Sequence, residues 1–211
     1  MEIYDPKSAT SYLNIAETVR VAVAKFAAGD LAEMIANCGF RQAGDGFDVH
    51  FINRDLHVSY PDGEVTEMES GKTVDDVAKI LVLHHAAYSR GGGLADKMVS
   101  YKELPGGDIY INPFTHRCID ALVGIFAKDL EALKKAVGAT EYRVENHGDF
   151  SCTVQVLPMV PLTLILYEED EEFPAAGNIL FNGNAASHLH TEDYSQLSAY
   201  LISNLKRLAF Q

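Results

Sequence analysis

Two adjacent histidines, His84 and His85, are the first residues in this sequence whose types suit a binding or catalytic site. On a helix, neighbouring side chains diverge by about 100°, so the two imidazoles leave the helix in different directions. His84 continues an apolar stripe that runs through Leu81 to Tyr88. The pair lacks the i, i+4 spacing of a helical metal site. Two interpretations stay open: half-buried core residues near a helix end, or groups that face a ligand cleft.

A second group with metal-binding chemistry lies in the segment HLHTED. His188 and His190 are two residues apart, which places them on one side of an extended segment, with Asp193 close by. Two imidazoles and a carboxylate can hold a transition metal. The alternative is structural, because Thr191 can cap the following helix while Glu192 and Asp193 complement its dipole.

Five consecutive acidic residues occupy positions 168–172 and are followed at once by Phe173. Carboxylates held near a packed core need hydrogen bonds or cations, whereas carboxylates in a solvated turn need neither. Asp170, Glu171 and Glu172 are the acids nearest the apolar residues that follow. The cations that can match them are Arg90, Lys97, Lys102 and Arg117.

The glycine triplet in SRGGG follows a predicted helix, whereas phosphate-binding glycines precede one. We therefore interpret it as a helix end and hinge. Residues 94–110 come next and contain Lys97 and Tyr101. A connection of this length is expected to be functional, to act as a lid, or to be packed by its own side chains.

The elements that must position these residues follow from the hydrophobic period, which changes from 3.6 to 2 and back twice. Helices are predicted at 12–26, at 31–38 after Asp30, from Thr73 to about residue 90, from Asn112 to 126, after Asp129, and from Thr191 to the end. Strands are predicted around 47–60 as an antiparallel meander and around 141–168. This order predicts an α+β fold, with a mixed or largely antiparallel sheet, packed helices, a helical N-terminus and a C-terminal helix. No linker divides the chain, so we expect one domain over 1–211, in which 1–40 can form a helical flap.

Composition limits the partners. The formal net charge is −13, which makes nucleic acid and anionic lipid poor partners. No apolar run approaches the ~20 residues that a spanning helix needs, and no signal peptide is recognisable. Cys38, Cys118 and Cys152 are isolated, without the spacing of a zinc or iron–sulfur site. We therefore expect a cytoplasmic protein with reduced thiols.

The segments LPGGDIYINPFTHR and VPLTLILYEEDEEFPAAGNILFNGNAASHLHTEDYSQL carry a family resemblance. They resemble domain-of-unknown-function family 3786, an uncharacterised group found mostly in anaerobic bacteria and archaea. Some relatives carry an added cysteine-rich iron–sulfur segment, and this chain lacks those cysteines. Asn182 and His190 depart from the residues that the resemblance leads us to expect. The resemblance implies a fold and no reaction.

The sequence favours a small-molecule-binding or accessory protein with a polar-rimmed cleft. The predicted cleft brings the helix end bearing His84, His85 and Tyr88 to the acidic segment beneath residues 94–110. Its candidate ligand-binding residues are His84, His85, Tyr88, Lys97, Tyr101, Asp170, Glu171 and Glu172. One alternative is a metal-dependent hydrolase or lyase that uses these histidines and acids, and another is a structural partner subunit. Whether the protein is an enzyme, and which cofactor it uses, stay open.

Overall fold

The computed structural model describes residues 9–211, with side chains from residue 15 onward. The chain begins with two helices, α1 (Ala9–Ala27) and α2 (Leu31–Cys38). Asp30 caps α2 by accepting a hydrogen bond from the Glu33 amide, and Gly39 ends it with a φ of 69°. Phe26 of α1 is fully buried, so the predicted first helix joins the core. The part of the predicted N-terminal flap before residue 9 lies outside the described residues.

The predicted meander is confirmed as a four-stranded antiparallel sheet of β1 (Arg41–Ala43), β2 (Gly46–Phe51), β3 (Arg54–Val58) and β4 (Val65–Glu67). The two central strands pair Phe47 with Val58 and Val49 with Leu56, so their apolar side chains share one face. That face is buried, as the period of two predicts.

Helix α3 (Asp76–Tyr88) carries the two adjacent histidines. Its N-cap is Asp75, whose carboxylate accepts from the Ala78 amide, so the predicted start at Thr73 is two residues too early. Thr73 instead forms an isolated antiparallel bridge with Thr66. The helix ends at Ser89, just before the glycine triplet, as the sequence indicates.

The long connection predicted at 94–110 is largely ordered into regular elements. It holds β5 (Met98–Ser100), a 3-10 turn (Tyr101–Glu103) and the start of α4 (Gly107–Phe114). Pro113 lies inside α4, so the helix start predicted at Asn112 is wrong. A π-helical segment (Thr115–Ile119), α5 (Asp120–Phe126) and α6 (Leu130–Val137) follow.

The second sheet is antiparallel, with the order β5-β9-β8-β7-β6. Its further strands are β6 (Tyr142–Glu145), β7 (Phe150–Leu157), β8 (Val160–Tyr167) and β9 (Ala176–Asn182). β8 lies between β7 and β9 and is buried over most of its length, which confirms the predicted central strand. A backbone hydrogen bond of 2.9 Å from the Ile52 amide to the Val156 carbonyl links the two sheets.

Helix α7 (Thr191–Phe210) closes the fold and is capped by His190 rather than by Thr191. Its buried stripe includes Tyr194, Leu197, Leu201 and Leu205, as the sequence predicts. Together these elements confirm the α+β class with antiparallel sheets. Among residues 9–211, no helix has the length and apolar content that a membrane span requires.

Candidate functional site

The C-terminal end of α3 meets the N-terminal end of α7, and polar side chains from both helices pair there. His84 Nδ1 lies 2.8 Å from Asp193 Oδ1, and the two side chains are 15% and 11% exposed. Asp193 Oδ2 also accepts a hydrogen bond of 3.3 Å from the His190 amide. Because Asp193 is held at both oxygens, it fixes the orientation of the His84 ring.

A row of three rings runs outward from this pair. The His84 and Tyr88 ring centroids are 5.1 Å apart, and those of Tyr88 and His190 are 4.4 Å apart. The Lys25 ammonium lies 5.8 Å from the centre of the Tyr88 ring. Tyr88 and His190 therefore form an aromatic surface of two rings tilted by 54° to each other, with a cation beside the Tyr88 ring.

This surface forms part of a cleft of about 450 Å³. Three segments meet around it: the end of α3, the turn before α4, and the residues that lead into α7. The lining residues are Tyr88, Arg90, Pro105, Ala186, Leu189, His190 and Thr191. They include one arginine and one histidine and no carboxylate, in a protein whose formal net charge is −13.

Backbone carbonyls position two polar side chains of the lining. The Arg90 guanidinium donates to the Ala186 carbonyl at 3.0 Å, and the Thr191 hydroxyl donates to the Pro105 carbonyl at 2.8 Å. The Arg90 amide also bonds the Ser187 carbonyl at 2.8 Å, which ties the end of α3 to the segment before α7. A guanidinium has five N–H donors, so one such bond leaves most of Arg90 available to a ligand.

A second, inner pair of histidines lies behind the cleft. His85 is 0% exposed and His188 1% exposed, and their ring centroids are 5.8 Å apart. His188 Nδ1 lies 2.9 Å from the Ser89 hydroxyl. Both ring nitrogens of His85 are buried without a hydrogen-bond partner among the described residues.

Burial dominates the protonation of these inner groups. It lowers the pKa of His85 to about 3, with a smaller contribution from the nearby His188. Burial also lowers the pKa of His188, and a hydrogen bond with the Gly92 backbone opposes that shift. The pKa of the Cys38 thiol is raised to about 12 by burial, and its sulfur donates to the His85 carbonyl at 3.3 Å. Both imidazoles and the thiol are therefore neutral near pH 7.

The acidic segment lies elsewhere. Asp170, Glu171 and Glu172 are exposed in the connection between β8 and β9, and Asp170 Oδ1 accepts from the Glu172 and Phe173 amides of its own turn. The acids precede the N-terminal end of β9, whereas the residues that approach α3 follow its C-terminal end. The strand is about 20 Å long. The structure therefore separates these acids from His84, and the carboxylate that meets His84 is Asp193.

Two further predicted site residues have structural contacts instead. Tyr101 is buried, and its ring stacks on Phe114 with centroids 3.9 Å apart. Lys97 lies beside β9, where its carbonyl accepts from the Gly183 amide at 2.8 Å. Neither residue lines the cleft described above.

The three predicted metal ligands of the HLHTED segment face different neighbours. His188 points toward His85 and Ser89, His190 contacts Tyr88, and Asp193 bonds His84. Within residues 9–211, no group of three or more His, Cys, Asp or Glu side chains is arranged to hold a metal ion. The structure thus divides this segment between the cleft and the inner pair.

Sequence comparison identifies the family. A family model described as Domain of unknown function (DUF3786) matches residues 30–204, which is most of the chain. The chain belongs to the DUF3786 family. Separate comparisons with curated proteins and with solved structures found no match. Membership of DUF3786 confirms the resemblance noted from the sequence and assigns no reaction to the cleft.

The sequence did not indicate four of the cleft residues of this DUF3786 chain as site residues: Pro105, Ala186, Leu189 and Thr191. It indicated Arg90 only as a cation that could match the acidic segment. The pairing of His84 with Asp193 spans 109 positions, so no spacing rule indicates it. The available signal was that each lies at the polar end of a helix whose apolar stripe must be buried.

Proposed function

We propose that the protein binds a small anionic molecule in the cleft between the end of α3 and the start of α7. One observation carries the proposal: the lining holds Arg90 and His190 and no carboxylate. In a chain with 30 acidic and 17 basic residues, a surface without acids is favourable for an anion. The volume of about 450 Å³ lies within the usual range for small-molecule sites.

The lining also favours a ligand with a carboxylate or phosphate group beside a flat ring. The planar donors of Arg90 match the oxygens of either anion. The first turn of α7 carries Glu192 and Asp193, which offset the positive end of the helix dipole, so Arg90 supplies the positive charge of the site. The Tyr88 and His190 rings are tilted by 54° to each other, so a planar group can stack on one of the two rings.

The test is a calorimetric titration of the full chain with benzoate, citrate and inorganic phosphate at low salt. We expect at least one anion to bind, and Arg90→Gln to weaken that binding by about tenfold or more, because a charged hydrogen bond contributes about 1.5–3 kcal/mol. Arg207→Gln is the matched control, since Arg207 lies in the last turn of α7. Failure of all three anions to bind, or equal binding by both variants, would refute the proposal.

The alternatives drawn from the sequence stay predictions. A metal-dependent hydrolase or lyase would use His84 or His85 with Asp170 to Glu172, acids that lie apart from His84 in the structure, and a structural partner subunit would use an apolar surface instead of the cleft. A cytoplasmic location also stays a prediction.

A further inference from the structure

The last strand of the second sheet, β6, has an open edge. It ends the order β5-β9-β8-β7-β6, and among residues 9–211 only β7 pairs with it. A strand edge of this kind presents backbone N–H and C=O groups that can pair with a strand of another chain. This edge is separate from the cleft between α3 and α7.

The ladder between β6 and β7 decides which backbone groups of β6 face outward. The Gln155 amide of β7 donates to the Glu141 carbonyl at 2.8 Å, just before β6 begins. Hydrogen-bonded positions alternate along an antiparallel ladder, so every second residue from Glu141 onward points its backbone groups toward β7. Tyr142 and Val144 lie between those positions, and their N–H and C=O groups therefore point away from β7.

The side chains of the same two residues are apolar and exposed. Tyr142 and Val144 pair with Val154 and Cys152 of β7, and both of these partners are 0% exposed. Tyr142 itself is 42% exposed and Val144 is 64% exposed. The apolar face of the sheet therefore continues past the part that the rest of the chain covers, onto the strand whose edge is open.

The opposite face of β6 carries a cation and an anion two positions apart. Arg143 Nε lies 2.6 Å from Glu145 Oε1, and the two side chains are 69% and 19% exposed. When two β6 strands pair antiparallel about a two-fold axis at Val144, position 143 of each copy lies opposite position 145 of the other. Each arginine then faces a glutamate, and opposite charges at facing positions stabilise paired strands. The edge is thus complementary to itself, as an isologous contact requires.

The outward backbone groups also allow a register with the two-fold axis at Arg143. That register brings the two Arg143 side chains face to face and sets Glu145 opposite the partner's Glu141. Like charges at facing positions destabilise paired strands. The charges therefore favour the register centred on Val144.

We propose that the protein forms a homodimer in which two β6 strands pair antiparallel about Val144, joining the five-stranded sheets of two copies. The partner is a second copy because the charge pattern of the edge is self-complementary. β6 has four residues, whereas a stable interface uses about 20–30 residues on each side. The dimer is therefore weak, and its population rises with protein concentration.

The test is sedimentation of the full chain at concentrations from about 5 μM to 1 mM, which span the range of weak association. We expect the average mass to rise from that of a monomer toward that of a dimer. Val144→Pro should abolish the rise, because it removes an N–H that points away from β7 and leaves the β6–β7 ladder intact. Val144→Lys, which sets two like charges at the axis, should weaken the dimer without that change of backbone.

Circular dichroism of both variants checks that the fold is retained. A monomeric mass at every concentration would overturn the proposal, and so would a mass beyond that of a dimer. A dimer that persists in the folded Val144 variants would place the contact elsewhere and refute the role of β6.

Charge reversals test the register. Arg143→Glu alone should weaken the dimer, and so should Glu145→Arg alone, because each change sets like charges opposite each other across the axis. An equimolar mixture of the two variants should associate again, since every facing pair is then opposite in charge. Stronger association of Glu145→Arg alone, or no recovery in the mixture, would contradict pairing about Val144.

Discussion

Thr191 and Arg90 are held in place by groups that a ligand would not displace. Their partners are the carbonyl oxygens of Pro105 and Ala186, and each bond uses a single donor. The Asp193 carboxylate likewise holds the His84 ring in place through its contact with Nδ1. Side chains fixed in this way lose little conformational entropy when a ligand binds, which favours binding by a preformed site.

Arg54, the first residue of β3, forms a second polar centre. Its guanidinium bonds Glu67 Oε1 and the Tyr200 hydroxyl at 2.5 Å each, and Tyr200 donates to Asp75 Oδ2 at 2.6 Å. The network joins β3 and β4 to α7 and to the cap of α3. Its role is structural, since it connects elements that are distant in sequence.

Glu67 gives a pH prediction at the residue scale. Hydrogen bonds from Ser70 and then Arg54 hold the pKa of Glu67 below its usual value. A carboxylate whose pKa is lowered by folding stabilises the protein above its unfolded pKa, about 4.3, and this contribution is lost as the pH falls through the folded pKa. We expect Glu67→Gln to lower the free energy of unfolding by about 1 kcal/mol at pH 7.

Urea unfolding of both proteins at several pH values checks this prediction. The difference between the native protein and Glu67→Gln should shrink as the pH falls from about 4.3, where the carboxyl of the unfolded chain becomes protonated, through the lower pKa of the folded carboxyl. A difference that stays constant down to pH 3 would show that the Glu67 carboxylate charge contributes nothing to stability.

At the scale of elements, α4 packs closely on the turn that precedes it. A Cβ atom added at Gly107 would lie 1.9 Å from the Tyr101 carbonyl oxygen, which belongs to the backbone and cannot move freely. Gly107→Ala should therefore destabilise the protein by about 1–3 kcal/mol through overpacking.

Gly124→Ala is the matched control for that change. Gly124 lies within α5, and an added Cβ meets nothing within 4 Å. Replacing an unhindered helical glycine by alanine stabilises by about 0.5–1 kcal/mol. Denaturant midpoints compare the two variants, and a Gly107→Ala midpoint at or above that of Gly124→Ala would contradict the close packing.

The elements themselves were largely predictable, because their periods are strong and their caps are local. Asp30, Gly39 and Asp129 stand where the sequence places them. The middle of the chain was less predictable, since Pro113 is accommodated inside α4 and the helix continues through a π-helical segment. Proline is favoured at the first position of a helix, but α4 begins at Gly107, before Pro113.

The candidate site was predictable only in part, for a physical reason. His84, His85 and Tyr88 were recognised because three chemical side chains share one helix end. Their partners come from α7, and which polar residues meet across two helices depends on tertiary packing. The acids at 168–172 were conspicuous in composition, yet they lie in an exposed turn between two strands, where water solvates them.

At the scale of the whole molecule, the buried side chains form a cluster that extends from α1 through both sheets to α7. The hydrogen bond between Ile52 and Val156 joins the sheets directly. We therefore predict a single cooperative unfolding transition, with coincident curves from far-ultraviolet circular dichroism and from tyrosine fluorescence. Two separated transitions would instead divide the chain into independent domains.

The most direct test of anion binding in the cleft is a nuclear magnetic resonance titration that follows the side chains of Tyr88 and His190. The anion bound most tightly in calorimetry is added to the full chain, and Tyr142, an exposed tyrosine on the edge strand β6, serves as the internal reference. Binding in the cleft predicts saturable shifts of the Tyr88 and His190 rings, an unchanged Tyr142, and loss of the shifts in Arg90→Gln. Shifts that are absent from Tyr88 and His190, or that persist in Arg90→Gln, would contradict a ligand site between α3 and α7.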